Sequence, residues 1–462
     1  MNKLQNKKIG IWGLGKVGKA AVTYLSQNND IELLDSRILS LEEEVWLKAK
    51  KIPFFRETHI NRFLECNDLI IPSPGIDLKA YAHYRDKWLT ELDIIRQTYT
   101  APIIGITGTA GKTTITCLLS GLLQLQHTVW TGGNIGTAML HLLQEKKQPD
   151  FALLEISSFQ LEYCKTFAPD FAIWTNFSPN HLDRHGNMEA YFNAKQKIVA
   201  FQEKSNLALL PYTIIDKLSL DSINAQLAFF SVDKPTVAML KKVRTKDTLF
   251  YLQDKHIILY KAGIERKIGS IAAFESITFA ENLLILFSAF YILNKKYALS
   301  EPNKQRFQQA FTTPFAKQLT EHRLEKVATI AGVTFYNDSK ATTPASTLAA
   351  VNKFSDKPIL LLLGGISKGI NRTSLIKDIK GKVKSLYSFG KEAEIIKHIC
   401  IEENIPCVSF TNLKAATIVS FQNATAGDLI LLSPAGSSFD LFKNYEARGA
   451  YFKQIVHSLT SQ

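Results

Sequence analysis

Residues Ala101–Thr114 read APIIGITGTAGKTT: an apolar run, a glycine-containing loop, and Lys112-Thr113-Thr114 opening the apolar helix pattern TCLLSGLLQL. Gly108 and Gly111 let the backbone curl so that its N–H groups face a phosphate, and the helix N-terminus adds positive potential. Lys112 reaches the β- and γ-phosphates in such a loop, and the Thr113 hydroxyl faces Mg²⁺. Thr107 stands where the usual phosphate-loop pattern has its first glycine. The bland alternative is a tight glycine turn with a solvated lysine. Lys-Thr-Thr at a strand-to-helix junction favours an ATP site over that alternative.

Outward from this loop, three segments each open with a strand and alternate strand with helix. The first runs from IGIW (Ile9–Trp12) through IELLD (Ile31–Asp35) to DLIIPSPG (Asp68–Gly75). The second holds the phosphate loop, DFALLEI (Asp150–Ile156) and DFAIWTNF (Asp170–Phe177). The third holds KPILLLLGG (Lys357–Gly365), KSLYSFG (Lys384–Gly390) and DLILLSPAG (Asp428–Gly436). Short apolar runs that end in Gly, Ser or Pro are the pattern of buried parallel strands feeding loops. The expected fold class is α/β, with domains at 1–100, 101–319 and 320–462. Residues 205–270, short strand-like pieces separated by Lys and Asp, read as a peripheral insertion. Clefts between the α/β segments are the natural place for a site.

The 462 residues are 46% apolar and 21% charged, which excludes a wholly disordered chain. Lys and Arg number 55 against 42 acidic residues, yet the excess is spread over all three segments. A generally basic surface handling anionic small molecules outweighs a nucleic-acid stripe. The start lacks the apolar region of a signal peptide, and the stretch Leu283 to Leu293 is far short of the ~20 residues that a membrane span needs. Five scattered cysteines, never spaced as CxxC, point to a reducing cytoplasm rather than a disulfide framework or zinc cage.

Two further constellations bear on chemistry. Gly13, Gly15 and Gly18 form GxGxxG between a strand and a helix, with Asp35 ending the next strand. That pattern suits a dinucleotide fold or a glycine turn serving only helix–strand packing. A nicotinamide site beside a phosphate-transfer loop is unusual chemistry. A second nucleotide used as a handle resolves the tension, with Asp35-Ser36-Arg37 on its base and ribose. Glu155 ends a buried strand, where an unpaired carboxylate is costly without a cation. With His181 after another strand end, it makes a Mg²⁺ or Mn²⁺ site beside the γ-phosphate. On spacing alone, Lys195 on the following helix reads as a solvated surface residue.

Taken together, these motifs resemble the Mur ligase family, ATP-dependent amide ligases of peptidoglycan precursor synthesis. The resemblance is carried by GLGKVGKA with Asp35-Ser36-Arg37, PSPGI (Pro72–Ile76), GTAGKTT, GGNIG (Gly132–Gly136), LEISSFQLE and NHLDRHGNMEAYFNAK. It continues through HRLE (His322–Glu325), NDSKATTPAST (Asn337–Thr347), LLLGG (Leu361–Gly365) and SPAGSSFDLFKNYEARG (Ser433–Gly449). LEISSFQLE, NDSKAT and the last motif look specific to the branch that adds D-glutamate.

The resemblance implies transfer of the γ-phosphoryl of ATP to the carboxylate of UDP-N-acetylmuramoyl-L-alanine, followed by attack of the D-glutamate amine on the acyl phosphate. It implies a Rossmann-like N-terminal domain, an ATPase-like central domain and a Rossmann-like C-terminal domain, in a cytoplasmic monomer. By position it implies Lys112, His181 and Lys195 in catalysis. Gly108, Gly111, Lys112, Thr113, Thr114, Asn282, Arg323, Asp338 and Lys340 are implied on ATP. Thr113, Glu155, His181 and Lys195 are implied on magnesium, with Lys195 N-carboxylated. The UDP-sugar falls to Gly15, Asp35, Ser36, Arg37, Ser73, Gly75, Asn134, Ser157 and Gln160, and D-glutamate to Thr342, Lys368, Ser438, Phe439 and Tyr445. The chain departs from the family pattern at Ala110, usually Asn, and at Thr278-Phe279, usually His-Asn. Further departures are Glu321, usually Pro, and Ile366-Ser367 before Lys368. A nicotinamide dehydrogenase leaves GKTT unexplained, and a silent nucleotide-binding module leaves Lys112, Glu155, His181 and Lys195 unexplained.

Overall fold

The computed structural model describes residues 4–275, 278–299, 321–367 and 369–459. Three sheets follow one another along the chain. In the first, Lys8–Trp12 pairs in parallel with Asp30–Leu34 on one side and Leu69–Pro72 on the other, with Phe54–Phe55 outermost. Ile9, Ile11, Leu33 and Ile70 are fully buried, as strands covered on both faces require.

The second sheet has nine strands. At its heart Ile103–Thr107 lies between Phe151–Glu155 and Phe171–Trp174, all parallel. The register pairs Ile106 with Glu155 and Thr107 with Trp174, so three strands deliver their carboxyl ends to one edge. That edge is where open α/β sheets bind ligands. Residues 205–270 are not an appendage, contrary to the sequence reading. Leu207–Pro211 and Gln226–Ser231 continue the parallel sheet, Thr248–Gln253 joins it, and His256–Lys261 and Ile264–Ser270 close it as an antiparallel meander. Leu209, Leu210, Phe229 and Leu249 are buried there, and this apolar content outweighs the intervening charges.

In the third sheet, Val333–Asn337, Leu429–Leu432, Ile359–Gly364, Ser385–Phe389 and Cys407–Phe410 run parallel, and Glu325–Ile330 adds one antiparallel edge. The chain is thus α/β throughout. It forms two compact units, one of residues 1–177 and 189–310, the other of 178–188 and 311–462. The eleven residues Ser178–Met188 therefore belong with the C-terminal sheet, although the strand before them and most of the helix after them belong to the first unit.

Inside the first unit, the N-terminal and central sheets share one continuous core that includes Leu14, Leu92, Met139 and Leu161. The helix Glu91–Thr98 fastens the joint, capped by Thr90 and Asp93. Glu91 accepts from the Leu140 N–H at 2.8 Å, and Asp93 accepts from the Lys165 and Thr166 N–H groups at 2.9 and 2.8 Å. Among the described residues no helix is long and apolar enough to cross a membrane.

Candidate active site

The phosphate loop leaves Ile103–Thr107 and enters the helix Lys112–Leu123, whose N-cap is Gly111. Gly108 has φ +148°, and a Cβ there would lie 1.9 Å from the Thr175 hydroxyl, so only glycine fits. Its neighbours hold the loop open. The Ala110 N–H donates to Asn176 Oδ1 at 2.8 Å, and the Ala110 carbonyl accepts from Thr175 Oγ1 at 2.5 Å. Lys112 Nζ folds back onto the Gly108 and Thr109 carbonyls at 2.9 and 3.2 Å. Thr113 and Thr114 follow in the first helical turn, half-buried.

Glu155 is buried at the end of its strand. Its Oε1 accepts from Asn134 Nδ2 at 2.8 Å, while its Oε2 is buried with no hydrogen-bond partner. An orphaned carboxylate oxygen at the carboxyl edge of the sheet has the chemistry a hard cation requires. Among the described residues, however, no three His, Cys, Asp or Glu side chains converge as a metal-binding group. The ligand set implied by sequence leans instead on Thr113 and on a modified Lys195.

Lys195, on the helix Met188–Ala200, is 1% exposed. Its Nζ donates to the Gly108 carbonyl at 2.9 Å and lies 4.8 Å from the centre of the Tyr191 ring. Burial first, and then the nearby Lys112 charge, push its pKa well below the usual lysine range. The solvated lysine expected from spacing is in fact a buried amine touching the phosphate loop. The N-terminus of the helix Ala280–Tyr297 completes this side: Asn282 is buried, its Oδ1 faces Gly111, and its Nδ2 donates to Thr278 Oγ1 at 2.9 Å.

Around the first glycine loop, Asp35 is nearly buried and already committed. It accepts from the Leu14 N–H at 2.7 Å, the Arg37 N–H at 2.9 Å and Arg37 Nη2 at 2.9 Å. Burial pushes its pKa up, but the Arg37 guanidinium and the two N–H groups outweigh that and hold it below the usual range. Ser36 and Arg37 are left facing solvent. Ser73 Oγ donates to the Gly13 carbonyl at 3.0 Å, and Gly75 lies two residues on with open space around it. Gly15 caps the helix Lys16–Leu25. Ser157 and Gln160 form a reciprocal capping box on the helix Ser158–Glu162, and Gln160 lines a small cavity with Ser73.

In the second unit, Asp338 is buried, accepting from Ser433 Oγ at 2.8 Å and the Leu324 N–H at 3.2 Å. Burial raises its pKa to about 7 against the pull of Ser433 and Arg323. Lys340 Nζ lies 5.5 Å from the centre of the Tyr445 ring, and Tyr445 opens the helix Tyr445–Leu459. Ser438 is buried, its carbonyl accepting from the Phe442 N–H at 2.8 Å, whereas Phe439 is 70% exposed. Thr342 is half-buried, and Lys368 lies outside the described residues. His181 is carried here too, on Ser178–Met188, where it caps the short helix Leu182–His185 with φ +53°.

Comparison with known proteins decides the lineage. Three family models match in chain order: the MurD N-terminal domain over residues 8–80, the Mur ligase middle domain over 106–274, and the Mur ligase glutamate ligase domain over 322–436. A UDP-N-acetylmuramoylalanine–D-glutamate ligase of Acetivibrio thermocellus is 32% identical, across 99% of this chain and 97% of its own. One from Koribacter versatilis is 32% identical across 99% of both chains.

The chain belongs to the Mur ligase family.

Solved structures share the fold at low identity. A pseudomurein peptide ligase type C from Methanothermus fervidus has a TM-score of 0.58 at 16% identity, covering 98% of this chain and 100% of its own. A MurF ligase from Thermotoga maritima, solved with ADP, has 0.57 at 13%, covering 99% and 96%.

The departures of this Mur ligase from the family pattern have local explanations. Ala110 contributes only backbone, which Asn176 and Thr175 hold. Thr278 supplies the hydroxyl that orients Asn282. Glu321 pairs with Lys453 at 2.6 Å, and the backbone of Ile366 pairs with Ser437. Sequence reasoning missed Thr175, Asn176 and Tyr191, which shape the loop, and two buried arginines. Arg372 donates to the Gly364, Gly365 and Pro434 carbonyls, and Arg448 to the Gly436 and Ser339 carbonyls. Arg448 lies inside the Ser433–Gly449 motif and Arg372 outside every motif, and a guanidinium that serves the scaffold leaves no spacing signal in either place.

Proposed function

We propose that this Mur ligase is the D-glutamate-adding enzyme of peptidoglycan precursor synthesis, an ATP-dependent, ADP-forming ligase acting on UDP-N-acetylmuramoyl-L-alanine. The observation that carries the reading is end-to-end relatedness, at 32% identity over 99% of the chain, to ligases named for that reaction. A carboxylate oxygen of the alanyl substrate attacks the γ-phosphorus of ATP, and ADP leaves. The amine of D-glutamate then attacks the acyl carbon, the new amide forms, and phosphate departs.

The chain's own groups have distinct tasks in this reading. The phosphate-loop N–H groups and the helix N-terminus hold the triphosphate, with Lys112 turning from the Gly108 carbonyl toward the transferred phosphoryl. Thr113, Glu155, His181 and an N-carboxylated Lys195 would hold magnesium, with manganese as a substitute, and the cation would supply neutralisation of phosphate charge. Support comes from the orphaned Glu155 Oε2 and from a Lys195 amine whose pKa burial and Lys112 push well below the usual lysine range, which favours the neutral form that adds CO₂. His181, Asn282, Arg323, Asp338 and Lys340 keep the roles the family resemblance gives them. Asp35, Ser36, Arg37, Ser73, Gly75 and Asn134 are assigned to the UDP-sugar, and Thr342, Lys368, Ser438, Phe439 and Tyr445 to D-glutamate. The three sequence domains are kept as the functional division. A cytoplasmic monomer without a nucleic-acid partner completes the reading, and all five cysteines are free thiols.

The test is ADP release with the alanyl UDP-sugar and a panel of D-Glu, L-Glu, L-Ala and meso-diaminopimelate. D-Glu should dominate, and faster turnover with any of the others overturns the assignment. For Lys195, ¹³C-bicarbonate should give a carbamate NMR signal that Lys195→Ala abolishes.

A further inference from the structure

A cavity of about 670 Å³ lies in the first unit, on the part of the central sheet that the sequence presented as an appendage. This volume falls within the ~300–1,000 Å³ typical of small-molecule sites. It is separate from the phosphate loop. The helix Ala280–Tyr297 offers Asn282 to Gly111 near its start, and Tyr291, Ile292, Lys295 and Lys296 to the cavity near its end. At 1.5 Å per residue, roughly 15–20 Å of helix lies between them.

The floor is apolar and follows from register. Phe250 pairs with Leu259 and Leu259 with Arg266, so alternate residues of three neighbouring strands present one face. Ala228, opposite Thr248, extends it, and Tyr291 meets Phe250 edge-on at 5.9 Å. The mouth is cationic. Lys246, Lys261, Arg266, Lys295 and Lys296 line it, and among the described residues no Asp or Glu does. Three cations elsewhere on this lobe are paired, Lys242 with Asp216 at 2.6 Å, Arg244 with Asp247 at 2.7 Å and Lys255 with Glu275 at 2.9 Å. Among the described residues Lys246, Lys261, Arg266 and Lys295 have no such partner. The last turn of a helix favours lysines, which accounts for Lys295 and Lys296 but not for the three cations from the sheet and its loops.

Five like charges around one apolar hollow repel one another, and an anion with an apolar body relieves the repulsion and covers the half-buried Leu259 and Tyr291. We propose that this cavity binds an amphipathic organic anion, its aryl or aliphatic body on Ala228, Phe250, Leu259 and Tyr291 and its acidic group among the five cations. The ligation reaction assigns no substrate to it, and the proposal does not rest on that reaction.

The probe is 8-anilinonaphthalene-1-sulfonate, with N-phenyl-1-naphthylamine as a neutral molecule of the same aryl body. The full chain should bind the sulfonate saturably at one per molecule, at least tenfold more tightly than the neutral probe, and more weakly as salt rises. Saturating ATP should not displace it. Lys261→Glu/Arg266→Glu should weaken binding at least tenfold while leaving the thermal melt and ADP release unchanged, and Lys295→Glu alone should weaken it severalfold. Equal affinity for the neutral probe, displacement by ATP, or charge-reversal variants that bind within twofold of wild type would each overturn the proposal.

Discussion

At the residue scale, burial sets the chemistry of Lys195. In the unfolded chain this amine titrates near the ordinary lysine value, whereas in the fold burial and Lys112 push its pKa well below that value. The folded state therefore binds fewer protons than the unfolded state over the interval up to about 10.5, and its stability rises with pH there. Lys195→Met, which removes the penalty, should unfold at higher urea than wild type at pH 7 in CO₂-depleted buffer. That advantage should shrink toward pH 10, and an advantage independent of pH would show that burial does not keep the proton off. Arg448 poses the opposite case. It is fully buried, its pKa is lowered to about 10 by burial, and its guanidinium binds carbonyls. Arg448→Ala leaves those carbonyls without donors, and urea titration should read a loss of about 3 kcal/mol or more. Arg448→Lys should recover less than half, because one ammonium cannot replace a planar fork. Glu155 and Lys112 were legible because they stand at strand ends and loop starts. Lys195 was reached only through the family resemblance and Arg448 not at all, since a charged residue inside a helix reads as solvated until packing is known.

At the element scale, the first glycine loop separates two uses of glycine. A Cβ on Gly18 would lie 1.9 Å from the Gly13 carbonyl, while one on Gly15 would meet nothing within 4 Å. Gly18→Ala should cost about 3 kcal/mol by chemical denaturation, and Gly15→Ala well under 1 kcal/mol. Similar losses at both positions would contradict this geometry. The helix Glu91–Thr98 carries a second expectation. Burial raises the Glu91 pKa to about 7 although the Leu140 and Met139 N–H groups pull it down. The folded state thus binds more protons than the unfolded state between about 4.5 and 7, and stability falls as pH rises through that window. Relative to wild type, Glu91→Gln should gain up to about 3 kcal/mol between pH 4.5 and pH 8, and a flat difference would refute the shift. Strands with continuous apolar content, such as Leu361–Leu363, were readable from sequence. Residues 205–270 were misread because single strands with charged flanks do not reveal that they extend a neighbouring sheet.

At the scale of the whole molecule, two compact units make a single cooperative transition an unsafe assumption. The five tryptophans, Trp12, Trp46, Trp88, Trp130 and Trp174, all lie in the first unit. Tryptophan fluorescence therefore follows that unit alone, whereas far-ultraviolet circular dichroism follows both. The two probes should give different urea midpoints, and coincident curves would mean that the units unfold as one. The α/β alternation and the order of the sheets were legible because each strand carries its own apolar run. The grouping of Ser178–Met188 with residues more than a hundred positions away was not, because nothing in NHLDRHG distinguishes a local loop from a distant attachment.

That attachment has a consequence for how the protein is made. Ser178–Met188 leaves the ribosome before any of residues 311–462, the rest of its own unit. All of residues 189–310 are translated in between, which at roughly 5–20 residues per second takes on the order of ten seconds. The first unit can close around its phosphate loop during that delay, while the short helix Leu182–His185 must wait, without its partners, for the C-terminal sheet to be synthesised.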